Sequence, residues 1–418
     1  MNARKHYRAG LAHYILDVSV KNVVLAREHF ERAAELGYAD ANYFLGRMFL
    51  LGDGVSKDEK KAVTYFQEGR TSNKCGYGLG LAYRGGLGLE KDEKKADKLF
   101  EKHYPDLLEE AKENDVVSMH LVGSCCYYGH GVKASILKAI EWFQQAASAG
   151  YADSLYMLGL IQETVDQENP RTERAIEYYE KAAEQGHPYA EYALATIYHE
   201  RQDWTKAVRY YERAAKQNYD RAAFALAMHY REHEPKKPDK AYAWFLSAAK
   251  QGHREAEYYA GLYNQLGRGT TKNIRQAVFW YERAALKKEK NALYHLALIL
   301  MNDQKKPDSY IRRLLEQAAV LEHPHAQYNL AVMYQKGDGV EQDLRKAFLW
   351  YQKAAEADLD IAQYNLGMLY LQGLGTEKDV KKARIFLEKA AEQGLEVAEE
   401  MLHTIGNYDT LTKSPWQP

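Results

Sequence analysis

The stretch AQYNLAVMYQKGDGVEQDLRKAFLWYQKAAEAD, Ala326 to Asp358, holds two amphipathic patterns separated by a glycine-bearing turn. In the first half Ala326, Leu330 and Tyr334 recur at i, i+4 and i+8, and Ala331 is a small residue where a neighbouring helix must come close. In the second half Ala347, Trp350, Tyr351, Ala354 and Ala355 form one apolar stripe, while Lys346, Lys353 and Glu356 fall on the solvated side. A helical period on both sides of a turn predicts a helical hairpin.

The hairpin repeats along the chain. Small-residue pairs before a short turn occur at Ala33-Ala34, Ala146-Ala147, Ala182-Ala183, Ala214-Ala215, Ala248-Ala249, Ala284-Ala285, Ala318-Ala319, Ala354-Ala355 and Ala390-Ala391, with degenerate versions at Gly69-Arg70 and Glu110-Ala111. Successive steps are 36, 41, 36, 36, 32, 34, 36, 34, 36 and 36 residues, the period of helical-hairpin arrays. Four residues before the first alanine of the second helix stand Asn22, Asp58, Asp92, Ser135, Asp203, Asn273, Asp343 and Asp379. Their side chains can accept from the free N–H groups of a first helical turn, so they are read as N-caps. Glycine pairs at Gly52 and Gly54, Gly129 and Gly131, Gly267 and Gly269, Gly337 and Gly339, and Gly373 and Gly375 mark where the first helix stops with a positive φ.

The string A-x-Y-x-L-G-x-x-Y, then G-x-G-V-x-x-D, then K-A-x-x-W-Y-x-K-A-A, resembles the Sel-one-like repeat, a relative of the tetratricopeptide repeat. The resemblance is strongest at Ala41 to Gly69, Ala326 to Asp358 and Ala362 to Gly394. Where the glycine loop shortens, at His199 to Trp204, Arg231 to Asp239 and Asn302 to Asp308, the units look like tetratricopeptide hairpins instead. The longest step surrounds HYPDLLEEAKEN, where Pro105 is expected inside a lengthened second helix. The expected fold is all-α: a right-handed α-solenoid of about eleven helix-turn-helix repeats over residues 1–406, with a tail at 407–418 expected to be disordered over at least its last eight residues. The resemblance implies adaptor and scaffold roles: assembling complexes, regulating a partner enzyme, or supporting secretion and host interaction. Some secreted members carry a cysteine pair in each repeat; this chain lacks those pairs.

Lys+Arg number 57 against Asp+Glu 58, so net charge calls for neither a polyanion nor a membrane surface. No stretch approaches the ~18 apolar residues of a membrane span, and MNARKHYRAG is not followed by a signal-peptide core. A cytoplasmic location is therefore expected. Cys75, Cys125 and Cys126 are too few to staple repeats.

Motifs that suggest chemistry have structural readings. GYGLGLAYRGG fails the dinucleotide pattern, and its glycines recur as turns. Adjacent Cys125 and Cys126 lack C-x-x-C spacing and read as buried thiols; no metal is expected. His229 and His233 stand at i, i+4, but Tyr230 occupies the place where a zinc protease needs glutamate, so they read as a surface pair. No acid–base or nucleophilic constellation stands out, and neither catalysis nor a cofactor is expected.

The residues two and six after each packing alanine form a second stripe opposite the packing face. It runs Tyr43 and Arg47, Tyr77 and Leu81, His120 and Ser124, Tyr156 and Leu160, Tyr192 and Thr196, Phe224 and Met228, Tyr258 and Leu262, Tyr294 and Leu298, Tyr328 and Val332, Tyr364 and Met368. Such aromatics either pack between successive first helices or line a concave groove that holds a partner protein or peptide, and both can hold at once. A face so poor in Lys and Arg argues against nucleic acid. Asn329, Asn365 and Lys336 could converge on a peptide backbone or terminal carboxylate, or the asparagines could bond locally within the hairpin. The candidate partner-binding residues are Tyr258, Tyr294, Tyr328, Asn329, Val332, Lys336, Tyr364, Asn365 and Met368. The leading reading is an interaction scaffold; the alternatives are a non-catalytic activator or regulator of an enzyme complex, for example in cell-envelope metabolism, and a secreted interaction factor.

Overall fold

The computed structural model describes residues 2–16, 22–165, 173–303 and 308–412, and among them there are helices and no strand. The chain divides into two compact units, Met1–His253 and Arg254–Pro418. The first unit consists of hairpins α1 (Ala3–Leu11) with α2 (Val23–Glu35), α3 (Asp40–Leu51) with α4 (Glu59–Glu68), α5 (Asn73–Gly85) with α6 (Glu93–Lys112), and α7 (Val116–Tyr128) with α8 (Ile136–Ser148). It continues through α9 (Ala152–Val165) with α10 (Glu173–Glu184), α11 (Pro188–Glu200) with α12 (Trp204–Lys216), and α13 (Asp220–His233) with α14 (Pro238–Lys250).

The second unit pairs α15 (Arg254–Leu266) with α16 (Ile274–Leu286), α17 (Lys290–Asp303) with α18 (Asp308–Val320), α19 (Pro324–Lys336) with α20 (Leu344–Glu356), and α21 (Asp360–Gln372) with α22 (Val380–Glu392). A final helix, α23 (Glu396–Thr412), runs on into the expected tail; Trp416 lies outside the described residues. Among the described residues the hairpins are as many as the spacing predicts. Within each unit, helices pack on their sequence neighbours, and successive first helices also touch, as α3 does α5 and α15 does α17. This is the nearest-neighbour arrangement of a solenoid.

All eight expected N-caps form, from Asn22 Oδ1 accepting the Leu25 N–H at 3.0 Å to Asp379 Oδ1 accepting that of Lys382 at 3.0 Å. Each is worth roughly 1 kcal/mol. Gly337 closes α19 at φ 81° and returns its N–H to the Met333 carbonyl. Pro105 sits inside α6, which at 20 residues is lengthened as the 41-residue step requires.

The core is built from the alanines of both helices and one large side chain of the second. Ala326, Leu330, Ala347 and Ala354 are fully buried, and Tyr351 is 1% exposed. Burying one leucine contributes roughly 1.5–3 kcal/mol. The small residue five after the packing alanine makes room for that large side chain. A Cβ on Gly261 would stand 2.7 Å from the Tyr281 ring, and one on Gly367 would stand 2.9 Å from Leu387 Cγ and 3.2 Å from the Ala383 carbonyl. Cys75, Cys125 and Cys126 are buried free thiols. His229 differs from expectation: it is 5% exposed rather than on the surface. The shortened loop brings Trp204 over it at 5.7 Å and His199 to 6.5 Å.

Candidate functional site

Many of the stripe aromatics rest on an aromatic of their own second helix. Tyr43 lies 6.3 Å from Phe66, Tyr77 5.3 Å from Phe100, Tyr156 5.8 Å from Tyr179, Tyr258 6.0 Å from Tyr281, and Tyr328 5.7 Å from Tyr351. Several are also covered by the residue that caps the next first helix: Tyr156 stacks on His187 at 5.0 Å and Tyr294 on His323 at 4.4 Å. His323 accepts the Ala326 N–H on Nδ1 at 3.2 Å, so one imidazole both caps α19 and braces the preceding repeat's tyrosine. Burial pushes the His323 imidazole down to about 4.

In the second unit the candidate residues are held to different degrees. Tyr258, Tyr294, Tyr328 and Tyr364 are half-buried, as are Val332 and Met368. Asn329 is brought to the hydroxyl of Tyr294 in the preceding repeat, whose acidity burial still lowers. Asn365 turns its amide to the Ile361 carbonyl of its own helix at 2.7 Å, the local bond weighed for it. Lys336 is exposed in the last turn of α19.

In the first unit the stripe lines an open groove of about 640 Å³, with Tyr43, Tyr77, Leu81, His120, Tyr156 and Leu160 in its walls. A bridge spans it. Arg47 of α3 meets Asp153 of α9 at 2.5 Å and donates to the Tyr151 hydroxyl at 3.2 Å, a contact between residues 104 apart in sequence. His187 accepts the Ala190 N–H on Nδ1 at 3.2 Å, so its proton sits on Nε2 and is donated to Asp153 Oδ1 at 2.8 Å. Burial by itself would raise the Asp153 carboxyl, but Arg47 and His187 hold it well below the usual carboxylate range. Burial pushes the neighbouring His120 down to about 4 and raises the Tyr43 hydroxyl to about 12. Neither ring carries charge at neutral pH, so the bridge provides the groove's fixed charges near them.

Asp153, His187 and Tyr151 were not singled out in sequence. The available signal was Arg47, the one charged residue at a stripe position that elsewhere is Leu, Met or Val, or the uncharged Ser124 and Thr196. Among the described residues, no three His, Cys, Asp or Glu side chains are grouped to hold a metal ion, and no helix is long and apolar enough to cross a membrane.

The Sel1 repeat family matches residues 6–38, 39–70, 77–102, 116–151, 152–187, 188–219, 220–253, 254–288, 324–359 and 360–395. The chain belongs to the Sel1 repeat family. The hairpin α17–α18 falls between the matched Sel1 repeats, where the sequence looks like a tetratricopeptide unit. Over 301 residues the chain is 27% identical to "Chitin synthase regulator SKT5" of Saccharomyces cerevisiae, covering 67% of this Sel1 repeat chain and 42% of that one. It is 34% identical over 131 residues to "Chitin synthase regulatory factor 2" of Schizosaccharomyces pombe, covering 29% of this chain and 26% of the other. The chain therefore spans less than half the length of these relatives. Among solved structures, a protective antigen of uropathogenic Escherichia coli with an SLR fold is similar at TM-score 0.62 and 26% identity, over 98% of this chain and 88% of that one.

Proposed function

We propose that this Sel1 repeat chain is a non-catalytic scaffold that holds a segment of a partner protein along its tyrosine stripe. The observation that carries this reading is how the second unit's stripe tyrosines are held: Tyr258 and Tyr328 rest on the second helix and Tyr294 on the next cap, while these three and Tyr364 keep part of their surface open to solvent. A ring already ordered by packing offers contact area at little further entropic cost.

The test replaces Tyr328, Tyr364 and Asn329 together with alanine and measures partner capture and melting on the same protein. Loss of about 2 kcal/mol or more of capture, beyond any change in melting, is expected for a hot spot. Arg345→Ala and Lys353→Ala, both exposed on α20, should change neither property much. Capture that survives the stripe substitutions and fails with the α20 pair would move the binding surface to the opposite face.

A second reading, regulation of an enzyme complex working at the cell envelope, is favoured by the relatives named as chitin synthase regulators. Identification of the captured proteins separates the two readings: a polysaccharide synthase among them, with turnover that changes when this chain is added, would select the second.

A further inference from the structure

Tyr128 ends α7 in the wall of the first unit's groove with 54% of its surface exposed. Its ring meets Tyr127 edge-on at 4.8 Å and stacks 5.4 Å from His130. An aromatic held by its neighbours yet left in solvent is the type of anchor that protein interfaces use. Arg84 lines the same groove, its guanidinium 5.2 Å over the Phe100 ring. Its side chain is 38% exposed and its counter-ion, Asp97, is 58% exposed, so that ion pair is weak and readily exchanged.

The other charges in the groove wall are already committed. Asp153 is engaged by both Arg47 and His187. Burial holds His120 and His130 neutral, each pushed down to about 4. Arg84 is left as the cation that can meet an incoming charge, and Leu81 and Leu160 supply apolar wall nearby. The groove offers about 640 Å³, room for a short stretch of a partner chain.

We propose that the first unit's groove takes a short acidic-apolar segment of a partner protein, a carboxylate seated on Arg84 and apolar side chains laid against Tyr128, Leu81 and Leu160. This rests on the scaffold reading and adds the chemistry of what is held.

Random peptides displayed on phage, selected against the purified full chain and against Arg84→Gln, Arg84→Glu and Tyr128→Ala, test it. Each variant is first checked for unchanged melting, since both side chains are partly exposed. The expected result is enrichment of Asp and Glu beside Leu and Phe on the unsubstituted chain, lost with Arg84→Gln and turned to Lys and Arg with Arg84→Glu. A selected acidic peptide should bind Arg84→Gln about tenfold more weakly, the loss expected for one charge-assisted hydrogen bond. Peptides that need Tyr128 but show no acidic bias, or that keep the bias when Arg84 is replaced, overturn the carboxylate while leaving the groove. Basic peptides on the unsubstituted chain overturn it too. Recovery of no peptide, or only of peptides indifferent to Tyr128, overturns the groove reading itself.

Discussion

The residue six after the packing alanine is Arg47 in the second hairpin of the first unit, and Leu262, Leu298, Val332 and Met368 in the second unit. Val332 remains within the local stack, packed against the core shared by its own hairpin and the next. Arg47 instead reaches across the groove to Asp153 and Tyr151, three hairpins further on. The two units differ in the same way at the caps. His187 and His323 cap α11 and α19 and stack on Tyr156 and Tyr294, and His187 donates to Asp153 as well. One repeat therefore gives two kinds of structure: positions that obey the period build nearest-neighbour stacking, and a single charged departure from it builds a contact across repeats.

The largest expected effect comes from breaking that contact. Arg47→Leu puts into the first unit the residue type of the second and leaves Asp153 buried without its arginine, which should cost about 3 kcal/mol in chemical denaturation. Combining it with Asp153→Leu should recover most of the loss, because no unpaired charge then remains. A single variant as stable as the parent would show that the bridge contributes no more than a surface pair.

A smaller effect tests the packing the units share. Gly367→Leu drives a side chain into Leu387, and Ala354→Leu enlarges a fully buried position; each should lower stability by about 1–3 kcal/mol. Unchanged melting of both would mean that the helix register of the second unit is wrong.

The smallest effect sharpens the comparison of the capping histidines. Burial depresses the His323 imidazole from its ordinary 6.5 to about 4. The unfolded chain therefore binds the proton more readily, and the stabilisation, complete above pH 6.5, drains away as pH falls toward 4. His323→Asn keeps a capping side chain without a titrating ring, so its melting temperature should fall less than the parent's across that window. Equal falls in the two proteins would show that the ring is not held neutral by its site.

The hairpins, the caps and the stripe were legible in the sequence because each follows from a residue type at a fixed offset. Asp343 has to accept an N–H three residues on, and Gly367 has to admit Leu387, whatever the rest of the chain does. The bridge was not legible. Asp153 and His187 stand one and three residues before the packing residues Ser154 and Ala190, and their meeting with Arg47 depends on how several hairpins curve together, which no period encodes. His229 was misplaced for a related reason: helical spacing says which way a side chain points, but not that Trp204 arrives to cover it when a loop is short. Asn365 was legible only as a choice, and the nearest carbonyl took it.

The bridge also bears on how the first unit comes apart. An array held by neighbours alone can fray from either end, losing one repeat at a time, because each interface is an independent term. A tie between α3 and α9 makes the hairpins enclosed between them share one fate, since none can unwind far while Arg47 and Asp153 stay joined. Amide hydrogens throughout that enclosed segment should exchange together, as one cooperative block, and in the Arg47→Leu, Asp153→Leu pair they should exchange repeat by repeat. A pair of residues in the wall of the groove thus determines whether the repeats around it open singly or as one.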